Sequence, residues 1–355
     1  MRDIYLILEN KTVFKGKSFG AFKETVGEVV FTTSMNGFVE TLSDPSYYGQ
    51  IVVQTFPLNG NYGVNLTDYE NKKIHVKGYV TREICNTPSN FRCDKTVEEF
   101  LVKNDIPGIY GIDTRKLTKL IRDEGIMNGK LSFTPDFDDE IAKYTVIEAV
   151  EAVTDKNEAE FKAENANKNI VIYNFGDYEA VKNELLKRNC NVKVVSDNID
   201  AKRIKELKPD GIILSAGPGN PCDNAEVIKN IKEICGYGIP LLGIGLGHQL
   251  LALANGGEVF KLKYGHRGGN QPVTDVKTKR VYITVQNHGY CVKDASLSDS
   301  ICETVFVNAN DKTCEGIKYK NIPAFSVQFM PKTAGGPQDM GFLFDEFIKL
   351  TEVNG

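Results

Sequence analysis

Leu241-Leu242-Gly243-Ile244-Gly245-Leu246-Gly247-His248-Gln249 is an apolar run, a glycine-punctuated turn and then another apolar run. Short buried strands read as continuous apolar segments, and a helix that is apolar all round is a buried one. The stretch therefore predicts a strand over Pro240–Ile244, a sharp turn at Gly245 and a helix over Leu246–Ala254. A strand-to-helix elbow of this kind exposes one side chain above a sheet edge, the usual place for a nucleophile. Gly245 stands at that position and has no side chain to expose.

The same alternation extends on both sides. Strands are expected at Ile170–Tyr173, Val192–Val195 and Gly211–Leu214, and helices at Tyr178–Arg188, Asp200–Leu207 and Asn224–Cys235. Strands joined by helical crossovers predict a mostly parallel sheet flanked by helices. Shorter runs at Val281–Val285, Glu303–Val307 and Ala324–Gln328 read as added strands, and Gly341–Leu350 as a closing helix. In such a sheet, ligands bind outside the carboxyl ends of the strands. Three segments end there: Ser215-Ala216-Gly217-Pro218-Gly219-Asn220-Pro221, the Gly245 elbow, and Phe325-Ser326-Val327-Gln328-Phe329-Met330-Pro331-Lys332. A triad hydrolase needs an imidazole and a carboxylate two residues apart on the third segment, to deprotonate the nucleophile and orient the base.

The first half has a different texture. Short β-rich runs (Ile4–Leu8, Glu28–Thr33, Ile51–Thr55, Ile74–Val80) are separated by Asn36-Gly37, Asp44-Pro45 and Asn59-Gly60, with helices at Val97–Lys103 and Thr114–Asp123. This gives an N-terminal β-rich α/β domain over 1–150. A polar stretch over 151–169 reads as a linker, and an α/β domain covers 170–355.

The chain has 355 residues, a net charge of -4 and no basic block, which argues against nucleic acid as a partner. No apolar run reaches membrane-spanning length, and Met1–Glu9 reads as a strand rather than a signal peptide. The eight cysteines form no C-x-x-C pair, which favours reduced thiols in a cytoplasmic protein over a disulfide framework or a zinc site. No metal site is expected.

Together these segments resemble class I glutamine amidotransferases, and over nearly the whole chain the small subunit of carbamoyl phosphate synthetase. In the first half the resemblance rests on Gly27-Glu28-Val29-Val30-Phe31, Thr33-Ser34-Met35-Asn36-Gly37, Asp44-Pro45-Ser46-Tyr47, Gly60-Asn61-Tyr62-Gly63 and Gly111-Ile112-Asp113-Thr114-Arg115-Lys116-Leu117-Thr118. In the second half it rests on Gly217-Pro218-Gly219, Gly247-His248-Gln249-Leu250-Leu251-Ala252, Gly265-His266-Arg267-Gly268-Gly269-Asn270 and Gln286-Asn287-His288-Gly289. The resemblance implies a cytoplasmic heterodimer with a large subunit. The small subunit releases ammonia from glutamine. The large subunit, which holds ATP and magnesium, makes carbamoyl phosphate from that ammonia and bicarbonate for arginine and pyrimidine synthesis. No cofactor is implied for this chain.

Family members carry a cysteine at the elbow and a His-Pro-Glu turn. Here the three positions hold Gly245, Met330 and Lys332, and Gln271 replaces a further family histidine. Losing triad members costs on the order of 10⁴ to 10⁶ in rate, so glutamine hydrolysis is expected to be lost. The glutamine-binding positions that the resemblance implies are Ser46, Gly217, Gly219, Leu246, Gln249, Asn287, Gly289 and Tyr290, with the amides of Gly217 and Leu246 as an oxyanion hole. His248 and His288 read as structural, Lys332 as a solvated or locally paired lysine, and Cys222, Cys235 and Cys291 as free thiols. The expected function is a structural or ammonia-dependent partner of the large subunit. The alternatives are a glutaminase with an unanticipated mechanism, and a sensor that binds glutamine or a related metabolite without hydrolysis.

Overall fold

Gly211–Leu214 and Leu241–Ile244 are strands with every residue buried, as continuous apolar runs require. The computed structural model describes residues 2–66, 73–332 and 336–353. The chain divides into two units, Met1–Ile147 and Glu148–Gly355.

The second unit is built on a ten-stranded sheet. Its centre is parallel: Cys190–Val195, Lys168–Tyr173, Gly211–Leu214, Leu241–Ile244 and Ala324–Val327, in that spatial order. Antiparallel strands extend it beyond Ala324–Val327, in the order Cys314–Tyr319, Cys302–Asn308, Val259–Asp275 and Val281–Val292. Helices cover the faces. Ala225–Cys235 buries Val227, Ile231 and Ile234, which recur at helical spacing. Leu246–Ala254 leaves only Leu253 short of full burial. It lies so close to the sheet that a Cβ on Gly247 would stand 2.2 Å from the carbonyl oxygen of Leu214.

The stretch expected to be a linker is not one. Residues 149–153 form a helix that buries Ala149, Val150 and Val153, and Ala159–Phe161 pairs antiparallel with Cys190–Val195 as the far edge strand. Phe161 packs on the core, with the Lys182 ammonium 4.5 Å above its ring. These few apolar side chains anchor an otherwise polar segment to the second unit.

The first unit is a closed barrel. Its strands run Asp3–Leu8, Val13–Gly20, Pro107–Tyr110, Gly78–Thr81, Gln50–Gln54, Thr25–Thr32 and Met127–Ser132, and the last pairs back to the first. The expected run at 74–80 becomes strand only from Gly78. Helix Val97–Lys103 starts with a capping box between Thr96 and Glu99, and Thr114–Glu124 starts with Asp113 accepting from the Lys116 amide at 2.9 Å. Among the described residues no helix is long and apolar enough to cross a membrane.

Candidate active site

The carboxyl ends of three adjacent parallel strands bring together Ser215–Gly217, Gly245 and Gln328–Met330. Gly245 adopts φ 56° and ψ −112°, the left-handed side of backbone space that side chains disfavour and glycine tolerates. The elbow is therefore present. It is held by the Gly245 amide donating to the Val327 carbonyl at 2.9 Å and the Gly247 amide donating to the Ser215 carbonyl at 3.0 Å. The space above Gly245 is not shaped for a side chain: a Cβ there would lie 2.9 Å from the Cβ of Ala216.

The residues that the resemblance sets at the other two triad positions are committed elsewhere. The Met330 amide donates to the Val285 carbonyl at 3.0 Å, and the side chain packs on the apolar core. The Lys332 ammonium lies 3.0 Å from Glu184 Oε1, on the helix Glu179–Lys187. Glu184 also accepts from Lys187 at 2.8 Å and from Arg188 at 2.7 Å. Lys332 is thus a locally paired lysine, as expected.

Burial alone would raise the Glu184 carboxyl, but its three cationic partners outweigh this and hold it at about 2. A carboxyl depressed below its ordinary 4.5 contributes stability that is complete above that value and drains away as pH falls toward the folded value. The urea midpoint of the wild type should therefore fall more steeply between roughly pH 5 and pH 2.5 than that of Glu184→Gln. Equal slopes would refute this role for the cluster.

The implied binding positions fall into two groups. Gly217, Gly219, Leu246, Gln249, Asn287, Gly289 and Tyr290 belong to the second unit; Ser46 lies in the first, in the turn Pro45–Tyr47, where its amide donates to Asp44 Oδ1 at 2.8 Å. Gly217 must be glycine, since a Cβ would meet the Phe175 carbonyl oxygen at 2.2 Å. Leu246 is the first helical residue, so its amide has no intrahelical acceptor. Gln249 is buried and fixed: its Nε2 donates to the Tyr290 carbonyl at 2.7 Å and to Gln328 Oε1 at 2.9 Å. Asn287, Gly289 and Tyr290 are half-buried on the strand Val281–Val292.

His248 is fully buried and bonded through Nδ1 to Ser326 Oγ at 2.8 Å; burial pushes its pKa down to about 3, so it stays neutral. His288 is held by the Tyr290 carbonyl at Nδ1, 2.8 Å away. Burial raises the thiols of Cys235 and Cys291, while Cys222 is exposed. Sequence reasoning missed Ala216, Glu184 and Gln328. Gln328 is buried, and its Nε2 has no hydrogen-bond partner. No motif marks any of the three, since their importance comes from neighbours distant in sequence. At the elbow Gly245 presents no side chain, and the Leu246 amide lies at the helix N-terminus.

Two family profiles match the chain: "Carbamoyl-phosphate synthase small chain, CPSase domain" over residues 6–131 and "Glutamine amidotransferase class-I" over residues 171–350. The carbamoyl phosphate synthase small chain of Fusobacterium nucleatum is 48% identical, covering 100% of this chain and 99% of its own length. That of Methanocaldococcus jannaschii is 47% identical over 99% of both chains. The pyrimidine-specific small chain of Bacillus subtilis is 45% identical over 98% of this chain and 96% of its own. With profile matches to both halves and end-to-end identity near one half, the chain belongs to the carbamoyl phosphate synthase small-chain family.

Proposed function

We propose that this chain is a small subunit that binds the large subunit of carbamoyl phosphate synthase but does not hydrolyse glutamine. The observation that carries this reading is the elbow itself: Gly245 in the positive-φ turn, with Met330 packed against the core and Lys332 paired to Glu184. The complex then draws on free ammonia, and the ATP and magnesium chemistry belongs to the large subunit. The expected setting is a cytoplasmic heterodimer serving arginine or pyrimidine synthesis. Retention of both domains at near-half identity supports a kept partner. The chain should copurify with its cognate large subunit, and the complex should make carbamoyl phosphate from ammonia. No association at micromolar concentration would sink the reading.

A second reading is a sensor that binds glutamine or a related metabolite without hydrolysing it. Its support is the buried Gln328 Nε2, an unpaired donor beside Gln249, since an orphaned buried donor is costly unless something satisfies it. Calorimetry with glutamine and glutamate tests it, and silence from both would end it.

A further inference from the structure

Three strands of the antiparallel extension carry a buried cluster that the elbow chemistry does not use. His266 lies on Val259–Asp275, His288 on Val281–Val292 and Glu315 on Cys314–Tyr319. Glu315 is completely buried, and the two histidines are at most 8% exposed. One donor atom from each lies within 4.8 Å of the other two, and His266 Nδ1 stands 3.4 Å from Glu315 Oε1.

The outward-facing ring nitrogens are anchored. His266 Nε2 is 2.8 Å from Asp311 Oδ2, and His288 Nδ1 is 2.8 Å from the Tyr290 carbonyl oxygen. Both partners only accept, so each histidine directs an N–H outward and its other nitrogen inward, His266 Nδ1 toward Glu315 Oε1 and His288 Nε2 toward Gln286 Oε1. That is the arrangement by which metal-ligating histidines are fixed: one nitrogen to the ion, the other donating to a carboxylate or a backbone carbonyl.

The inner side of His288 is mismatched without a cation. His288 Nε2 lies 3.1 Å from Gln286 Oε1. Gln286 cannot turn that oxygen away at no cost, because its Nε2 donates to Glu315 Oε2 at 3.0 Å and to Thr284 Oγ1 at 3.2 Å. The Thr284 hydroxyl in turn donates to the Gln271 carbonyl at 2.9 Å. In the neutral tautomer whose N–H goes to the Tyr290 carbonyl, the Nε2 lone pair and the Gln286 oxygen face each other in a buried place.

We propose that His266 Nδ1, His288 Nε2 and a Glu315 oxygen, with Gln286 Oε1 as fourth donor, bind a divalent transition-metal ion, with zinc as the best fit. Bonds of about 2.0–2.2 Å in a tetrahedron set donors about 3.4 Å apart, close to the separations at His266–Glu315 and His288–Gln286. Two imidazoles and two oxygens suit zinc better than magnesium or calcium, which take oxygen ligands. Two cationic or donor groups adjoin the site: the Arg267 guanidinium, whose Nη1 donates to the Tyr264 carbonyl, and Asn308 Nδ2, which donates to Glu315 Oε1 at 3.1 Å and lies 3.4 Å from His266 Nδ1. Asn308 is the group that draws back when the ion enters. The site pins three strands directly behind Asn287 and Gly289, so its role is structural. Cysteine spacing could not reveal it, because its ligands come from three separate strands.

The test uses the full-length chain, produced without a metal-binding tag in zinc-supplemented medium. Elemental analysis should find about one zinc per chain, and the chelated protein titrated with cobalt(II) should develop the visible d–d bands of a four-coordinate ion. Asp311→Asn removes no ligand, and should weaken cobalt binding about 10–100-fold with an unchanged circular dichroism spectrum. His266→Ala combined with His288→Ala should abolish the bands. A folded wild type that retains no zinc and gives no cobalt bands overturns the proposal, as do bands that survive the double substitution.

Discussion

Gly245→Cys alone should leave glutamine hydrolysis at background. A cysteine restores the sulfur but not the base, and losing the base alone costs about as much as losing all three triad members. The new side chain also meets a crowded turn, since its Cβ would lie 2.9 Å from the Cβ of Ala216 in a backbone conformation of positive φ. Met330→His and Lys332→Glu each add nothing by themselves. Lys332→Glu also sets a second carboxylate where Glu184 now has a cation. The three substitutions together, made in an Ala216→Gly background to open the turn, should raise hydrolysis roughly 10²–10⁴-fold over Gly245→Cys, the usual contribution of a positioned general base. A steady-state glutaminase assay with the large subunit present checks this. Activity in Gly245→Cys alone would show that another group already serves as base.

The second large effect concerns the scaffold of the elbow. Gly247→Ala places a methyl group 2.2 Å from the Leu214 carbonyl oxygen and 2.7 Å from its Cβ. The obstacle is largely strand backbone, which cannot swing aside as a long side chain can. Overpacking of this kind costs about 3 kcal/mol. In a unit of this size that lowers the melting temperature by about 6–12 °C, at 2–4 °C per kcal/mol. Gly238→Ala is the control: φ is +70° there and nothing lies within 4 Å of the added Cβ. It should lose only about 1–2 kcal/mol, the cost of a left-handed backbone. Equal losses at the two positions, measured by calorimetry, would mean that close helix–sheet contact does not hold the elbow.

Much of the second unit was legible because its strands are apolar on both faces and its helices carry apolar stripes. Leu246–Ala254 and Gly211–Leu214 follow directly from such runs. The barrel was only half legible. Val13–Gly20 and Met127–Ser132 mix lysine, glycine and asparagine into strands with a solvated face, so their pattern resembles loop. Val259–Asp275 was hidden in the same way. Its glycines and Pro272 signal turns, yet Gly265, Gly268 and Gly269 fall at register shifts in the pairing with Val281–Val292, at Lys261/His266 and Gly268/Gln271, and Pro272 pairs in register with Ile283. The elbow glycine was readable from its strand and helix, and its positive φ agrees. What surrounds it was not. Ala216 above Gly245, Glu184 beneath Lys332 and the Gln249–Gln328 bond depend on contacts between segments far apart in sequence.

On the reading we propose, the chain kept its scaffold after losing its chemistry. The most direct test supplies the complex of this chain and its large subunit with glutamine labelled with ¹⁵N at the side-chain amide, together with unlabelled ammonia, bicarbonate and ATP. The nitrogen isotope is then read in the carbamoyl phosphate formed. The product should carry nitrogen from ammonia and no label from glutamine. Label in the product, above that from glutamine incubated with the large subunit alone, would contradict it.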